Sequence, residues 1–384
     1  MTSCKVGKSY VRPDLHLPDS LERAQDSISF GDQDWRDIYT DATLRSLIER
    51  ALDHNKDMLI AAARVKEMAA QKRISTAALL PDIKGKVTAE RELENHGGDA
   101  FKRSDTFEAQ FLVSWELDLW GNLRWARSAS IAEYLQSIEA QRALRMTIVA
   151  EVAQAYYELV ALDTELDIVK QTLKAREEGV RLARIRFAGG LTSETSYRQA
   201  QVELARTATL VPDLERKISL KENDIAYLAG EYPNKIARSR LLQEFNSPET
   251  LPVGLPSTLL ERRPDIRQAE QKLIAANAKV GVAYTNMFPR LALTGGFGSE
   301  STSLSELLKS PYAVMEGALL TPIFGWGKNR AALKAKKAAY EAEVHSYEKA
   351  VLEAFKETRN AIVNFNKIKE VYELRANLER SAKS

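Results

Sequence analysis

Apolar and polar residues alternate most sharply over residues 107–119, FEAQFLVSWELDL. Phe107, Ala109, Phe111, Val113, Trp115, Leu117 and Leu119 take every second position, with Glu108, Gln110, Leu112, Ser114, Glu116 and Asp118 between them. A period of two puts the two sets on opposite faces of a strand, one fatty and aromatic, the other mostly polar and acidic. The run is long for a soluble strand but suits a tilted strand crossing a bilayer, which needs about 9–11 residues. Residues 82–92 alternate as well, with Ile83, Gly85, Val87 and Ala89 against Lys84, Lys86, Thr88, Glu90 and Glu92. The polar stretch Asn95-His96-Gly97-Gly98-Asp99 joins the two runs into a predicted hairpin.

After Trp120-Gly121-Asn122 the period becomes helical and predicts one helix system over 123–187, near 95 Å long at about 1.5 Å per residue. Within it Ile148, Val152, Ala155, Leu159, Leu162, Leu166, Val169 and Leu173 form a heptad seam, the mark of coiled-coil packing. Ala188-Gly189-Gly190 reverses the chain, and a return helix over 193–228 carries its own seam, with Pro212 expected to bend it. Upstream, Asp41 is the expected N-cap of a helix over 42–52, and a second helix over 56–80 is stopped by Pro81.

The theme then recurs. LPDI from Leu80 answers FPRL from Phe288, and KDMLIAA from Lys56 answers PDIRQAE from Pro264, both at an offset of 208 residues; Trp120-Gly121 answers Trp326-Gly327. Between these lie a second pair of predicted strands, 290–298 and 312–323, in which Gly295, Gly296 and Gly298 suit a tightly curved sheet. A second long helix carries a seam from Tyr340 through Tyr347, Val351 and Phe365 to Tyr372. This predicts two internal repeats. Residues 1–40 are an extended segment, 41–230 the first repeat, 231–258 a Pro-rich connector and 259–384 the second repeat. By analogy with the first repeat, a tip turn and return helix are expected to be missing after Ser384, and the charged and apolar parts of a signal peptide to be missing before Met1.

Composition changes little of this picture. The charges nearly cancel at +2, so nothing suggests nucleic acid. No window of eighteen residues is apolar enough for a spanning helix, yet alternating strands dilute their own hydropathy and leave a barrel open. The single cysteine, Cys4, allows no internal disulfide, and the four histidines lack ligand spacing. No nucleophile–base pair, phosphate loop or metal spacing points to an enzyme, and no cofactor is implied. Four strands leave two open edges, which hydrocarbon does not tolerate, so the sheet must close against other chains; the polar face with Glu108, Gln110, Ser114, Glu116 and Asp118 then lines a wet channel.

Strand hairpin, long coiled-coil hairpin, and the same again resembles the plan of the TolC-like outer-membrane efflux family, in its NodT or OprM-type lipoprotein branch. The resemblance rests on Cys4-Lys5-Val6-Gly7 with Tyr10 and Pro13, on WELDLWG from Trp115, on LPSTLLERRPDI from Leu255, and on Phe288-Pro289 and Thr321-Pro322-Ile323-Phe324. It implies an α+β chain giving four strands to a twelve-stranded transmembrane β-barrel in a homotrimer, continued by a long α-helical coiled-coil periplasmic tunnel. It implies partners too: a periplasmic adaptor, an inner-membrane RND transporter and outer-membrane lipid. Cys4 is the expected lipidation site. The turn Arg186-Phe187-Ala188-Gly189-Gly190-Leu191-Thr192-Ser193 is the expected adaptor-docking tip. The expected function is the exit duct of a tripartite pump for small molecules such as drugs. A type I protein-secretion or heavy-metal outlet, and a coiled-coil scaffold without a pore, are the alternatives.

Overall fold

A computed structural model of the chain describes residues 5–15, 33–95, 102–238, 260–321 and 325–383. Its elements are α1 (Ala42–His54), α2 (Lys56–Ala77), β1 (Asp82–Glu94), β2 (Lys102–Leu117), α3 (Asn122–Ala188), α4 (Glu194–Leu228), α5 (Pro264–Thr285), β3 (Arg290–Ser301), β4 (Pro311–Leu320) and α6 (Trp326–Lys383). The order helix, strand, strand, helix occurs twice, as α2-β1-β2-α3 and as α5-β3-β4-α6. Among the described residues, no helix is long and apolar enough to cross a membrane. The chain divides into two compact units.

The first unit comprises Met1–Leu17, Arg64–Glu139 and Leu260–Ala361. It holds a four-stranded antiparallel sheet in the order β1-β2-β3-β4, with β1 and β4 as edges. The register places Lys86 opposite Gln110, Gln110 opposite Gly298, and Gly298 opposite Tyr312. One residue along, Gly85, Phe111, Phe297 and Ala313 align on the other face. The alternation therefore adds across all four strands. Phe111, Val87, Phe297 and Met315 form one apolar face, left exposed in the single chain. Strand ends differ from expectation by a few residues. β2 starts earlier, at Lys102, and stops at Leu117, because the Asp118 carboxylate is drawn onto the start of α3. β4 ends at Leu320, short of the predicted 323, and residues 322–324 lie outside the described residues.

Below the sheet, Ile266 and Leu273 of α5 pack with Tyr347, Val351 and Ala354 of α6, all nearly water-free. Burying such a side chain stabilises by roughly 1.5–3 kcal/mol. Tyr347 and Val351 belong to the heptad seam predicted for the second long helix.

The second unit comprises Pro18–Ala63, Ala140–Leu259 and Ile362–Ser384. Leu44, Leu47 and Ile48 of α1 pack in one core with Val152 and Leu159 of the α3 seam, the neighbouring Tyr156, and Ile225 of α4. Asp41 caps α1 as expected, accepting from the Thr43 and Leu44 amides at 2.7 and 3.1 Å, and the Tyr156 hydroxyl donates to its second oxygen at 3.0 Å. That third bond explains how a carboxylate can be buried here. Asn55 caps α2 through the Asp57 and Met58 amides and donates to the Leu228 carbonyl at the end of α4. α4 runs unbroken through Pro212. On α6 the seam loses cover beyond Ala361, where Ile368 and Tyr372 are exposed.

Candidate functional site

Three places collect the residues singled out by sequence. The first is the polar face of the sheet. Lys86 on β1 reaches Glu108 Oε2 at 3.1 Å, and Gln110 Nε2 donates to Glu108 Oε1 at 2.6 Å. The Tyr312 hydroxyl of β4 lies 2.7 Å from Glu108 Oε1 and 3.1 Å from Gln110 Oε1. Its one proton goes to the nearer and charged acceptor. The tyrosine spans the width of β3 to do so, its register partner on that strand being Gly298, which lies close against β2. A Cβ at 298 would stand 2.4 Å from the Ala109 carbonyl oxygen and 2.6 Å from Gln110 Cβ. Alternation alone marks Glu108 and Gln110 as lining residues, whereas the meeting of Lys86, Tyr312 and Gly298 with them is visible only in the register. Ser114 and Glu116 lie further down the same face, opposite Thr294 and Ala292.

Asp118 departs from its expected place. It lies beyond the end of β2 and accepts from the Leu123 amide at 3.0 Å, the Arg124 amide at 3.1 Å and Arg124 Nε at 2.9 Å. A carboxylate at a helix N-terminus satisfies orphan amides and the helix dipole together. The WG pair that follows is the corner between sheet and helix. Gly121 turns at φ +83°, Trp120 stacks on Phe288 at 5.1 Å, and its Nε1 donates to the Pro289 carbonyl at 2.8 Å.

The second place is the seat of the N-terminal segment. Val6 N donates to Trp120 O at 3.0 Å, and Trp125 Nε1 donates back to Val6 O at 2.8 Å. The Lys5 ammonium sits 3.6 Å from the centre of the Trp125 ring. Burial, and after it the Arg124 charge, holds that ammonium below its ordinary pKa. Further on, Arg12 grips Glu270 of α5 with two bonds of 2.7 Å, and the Tyr10 hydroxyl adds a third at 3.2 Å. Cys4, the expected lipidation site, lies outside the described residues.

The third place is the turn between α3 and α4. Gly190 has φ +72°, its amide donates to Phe187 O, and the Leu191 amide donates to Arg186 O. This is the Schellman closure, which needs a residue free to adopt positive φ at Gly190. Phe187 stacks parallel on Tyr197 at 6.1 Å, and Leu191 stands in water at 78% exposure. Ser193 is the N-cap of α4 without a side-chain bond to the helix amides, its Oγ lying 3.5 Å from Ser196 Oγ, and Thr192 Oγ1 is buried with no partner. Arg186 supplies the basic residue of the last turn of α3, and the Gly189 amide closes it by donating a hydrogen bond to Ile185 O. Among the described residues, no three His, Cys, Asp or Glu side chains group as metal ligands.

These features agree with what the chain resembles elsewhere. The family model of the outer membrane efflux protein matches residues 47–231 and 255–384. The outer membrane protein OprJ of Pseudomonas aeruginosa is 33% identical over 381 residues, covering 94% of this chain and 77% of OprJ. The cation efflux system protein CusC of Escherichia coli is 28% identical over 369 residues, covering 94% of this chain and 80% of CusC. The open-state crystal structure of the MtrE outer membrane channel of Neisseria gonorrhoeae superposes with a TM-score of 0.90 at 27% identity, covering 99% of this chain and 86% of that one. The chain shares its fold with the MtrE channel over nearly its whole length, and it belongs to the outer membrane efflux protein family.

Proposed function

We propose that this chain is one third of the outer-membrane exit duct of a tripartite pump that exports small molecules such as drugs. Three copies pair β1 of one with β4 of the next into a twelve-stranded barrel, and their helices continue as a periplasmic tunnel. The observation that carries this reading is the division of the sheet. The apolar face with Val87, Phe111, Phe297 and Met315 is exposed, the opposite face holds the Lys86–Glu108–Gln110–Tyr312 network, and two edges are unpaired. Hydrocarbon tolerates such a sheet only when its edges are closed. Glu108, Gln110, Ser114 and Glu116 then line the water-filled lumen, while Asp118 serves the corner.

The two-repeat plan, with an extended segment over 1–40, repeats over 41–230 and 259–384 and a connector over 231–258, is the economical account of the recurring helix, strand, strand, helix order. The turn carrying Arg186, Phe187, Gly189, Gly190, Leu191, Thr192 and Ser193 docks a periplasmic adaptor, which links the duct to an inner-membrane RND transporter. Cys4 carries the lipid, and two or more acyl chains anchor it stably where one is marginal. Cysteines placed along β1 and β4 and bridged by a short thiol linker test the arrangement. Three-chain adducts are expected between chains in cells; exclusively intrachain products would overturn it.

A further inference from the structure

The outward face of the sheet ends in charge, and the charge is sorted. On β2 the apolar set runs from Phe107 to Leu117, ten steps of about 3.3 Å, or roughly 25 Å of height once tilted near 40°. That is the height of the apolar band of an outer-membrane barrel. Trp115 marks its lower margin, its Nε1 bonded to the Leu79 carbonyl at 3.1 Å. At the upper margin, in the same alternation as Phe107, stand Asp105 and Arg103 on β2 and Arg91 on β1, directly opposite Asp105. Glu90, Glu92 and Glu94 fall on the opposite, lumen-side face. At this height the arginines are outward and the β1 acids inward.

Arg91 Nε meets Asp105 Oδ1 at 2.7 Å, and Arg103 Nη2 meets Oδ2 at 2.8 Å. One carboxylate thus holds two guanidiniums side by side and leaves the trio with a net positive charge. Each fork carries five N–H donors, and the pairing with Asp105 uses two of them. Both arginines remain more than half exposed. A planar fork suits a tetrahedral oxyanion better than an ammonium does, and basic residues beside a bilayer surface attract anionic headgroups.

We propose that Arg91 and Arg103, braced by Asp105 at the upper margin of the apolar face, bind the phosphate of an anionic glycolipid in the outer leaflet. This rests on the barrel reading, which fixes that margin at the outer leaflet. The test uses the full chain extracted from outer membranes, with the phosphorylated glycolipid bound per chain measured by native mass spectrometry. The variant with Arg91→Gln and Arg103→Gln should retain about tenfold less glycolipid or lower still. Arg91→Lys with Arg103→Lys should fall between the two, keeping charge without the fork. In reconstituted bilayers the unaltered chain should melt higher with phosphorylated than with dephosphorylated glycolipid, and the glutamine variant should not distinguish them. Equal glycolipid on both chains, or no phosphate-dependent melting of the unaltered one, overturns the inference while leaving the barrel in place. Strands of the unaltered chain open to protease within the membrane would instead overturn the barrel reading, and this site with it.

Discussion

Gly281→Ala is the sharpest perturbation of the N-terminal seat. Gly281 lies on α5 with its missing side chain aimed at Trp125, and an added Cβ would stand 2.4, 2.6 and 2.7 Å from three ring atoms. Ordinary carbon contacts begin near 3.4 Å, so the indole must retreat by about 1 Å. It has little room, being buried and touched on its other side by the segment at Lys5 to Gly7. Moving it breaks the bond to Val6, worth about 1 kcal/mol, and the Lys5 cation–π contact, worth about 0.5–1 kcal/mol. A loss near 2 kcal/mol raises the undocked fraction of the segment roughly 30-fold. The helix itself gains up to about 1 kcal/mol from alanine, so the segment should loosen while α5 stays formed. Trypsin cleavage after Lys5 and Lys8 reads the undocked fraction when docking is fast. It should accelerate about 10- to 30-fold, and Trp125→Phe combined with Gly281→Ala should be less harmful than the sum of the two. Unchanged cleavage at unchanged helicity would refute this account of the seat.

Three further outcomes are expected. Burial lifts the Asp265 carboxyl, but the bidentate Arg263 outweighs it and holds the group below its usual pKa of 3.8; the resulting stability exists above that value and is lost as pH falls through the lowered one. Asp265→Asn should therefore lower the melting temperature at pH 7, by a difference that shrinks as pH falls below 3.8 and through the lowered pKa, and a difference that stays constant from neutral pH into strong acid would contradict the pairing. Leu191→Asp at the exposed tip should leave assembly and surface level normal while efflux and adaptor cross-linking fall together; normal efflux at normal expression would exclude the turn as the docking point. Cys4→Ala should abolish incorporation of labelled palmitate, and label persisting on that variant would move the anchor elsewhere.

The periodic parts of the molecule were legible in the sequence because periodicity is a local property. The alternation at 107–117 and the seam at Ile148 to Leu159 appear in β2 and in the buried core of the second unit. Asp41 was readable as a cap because capping acts within three residues. What stayed hidden depends on partners far along the chain. Tyr312 meets Glu108 across 204 residues, and Arg12 meets Glu270 across 258. Gly298 read as a residue for curvature, and its neighbours add that β2 lies so close that a Cβ there would stand 2.4 Å from the Ala109 carbonyl oxygen. Asp118 read as one more member of the alternation, and only the start of α3, five residues on, claims it as a cap.

The central claim is that three of these chains enclose one lumen. Electron microscopy of the full-length protein extracted from membranes tests it most directly. The account predicts threefold particles with a single short barrel continuous with a hollow helical tube. Particles that are single chains, or rods of packed helices with no lumen at the level of the sheet, would contradict it.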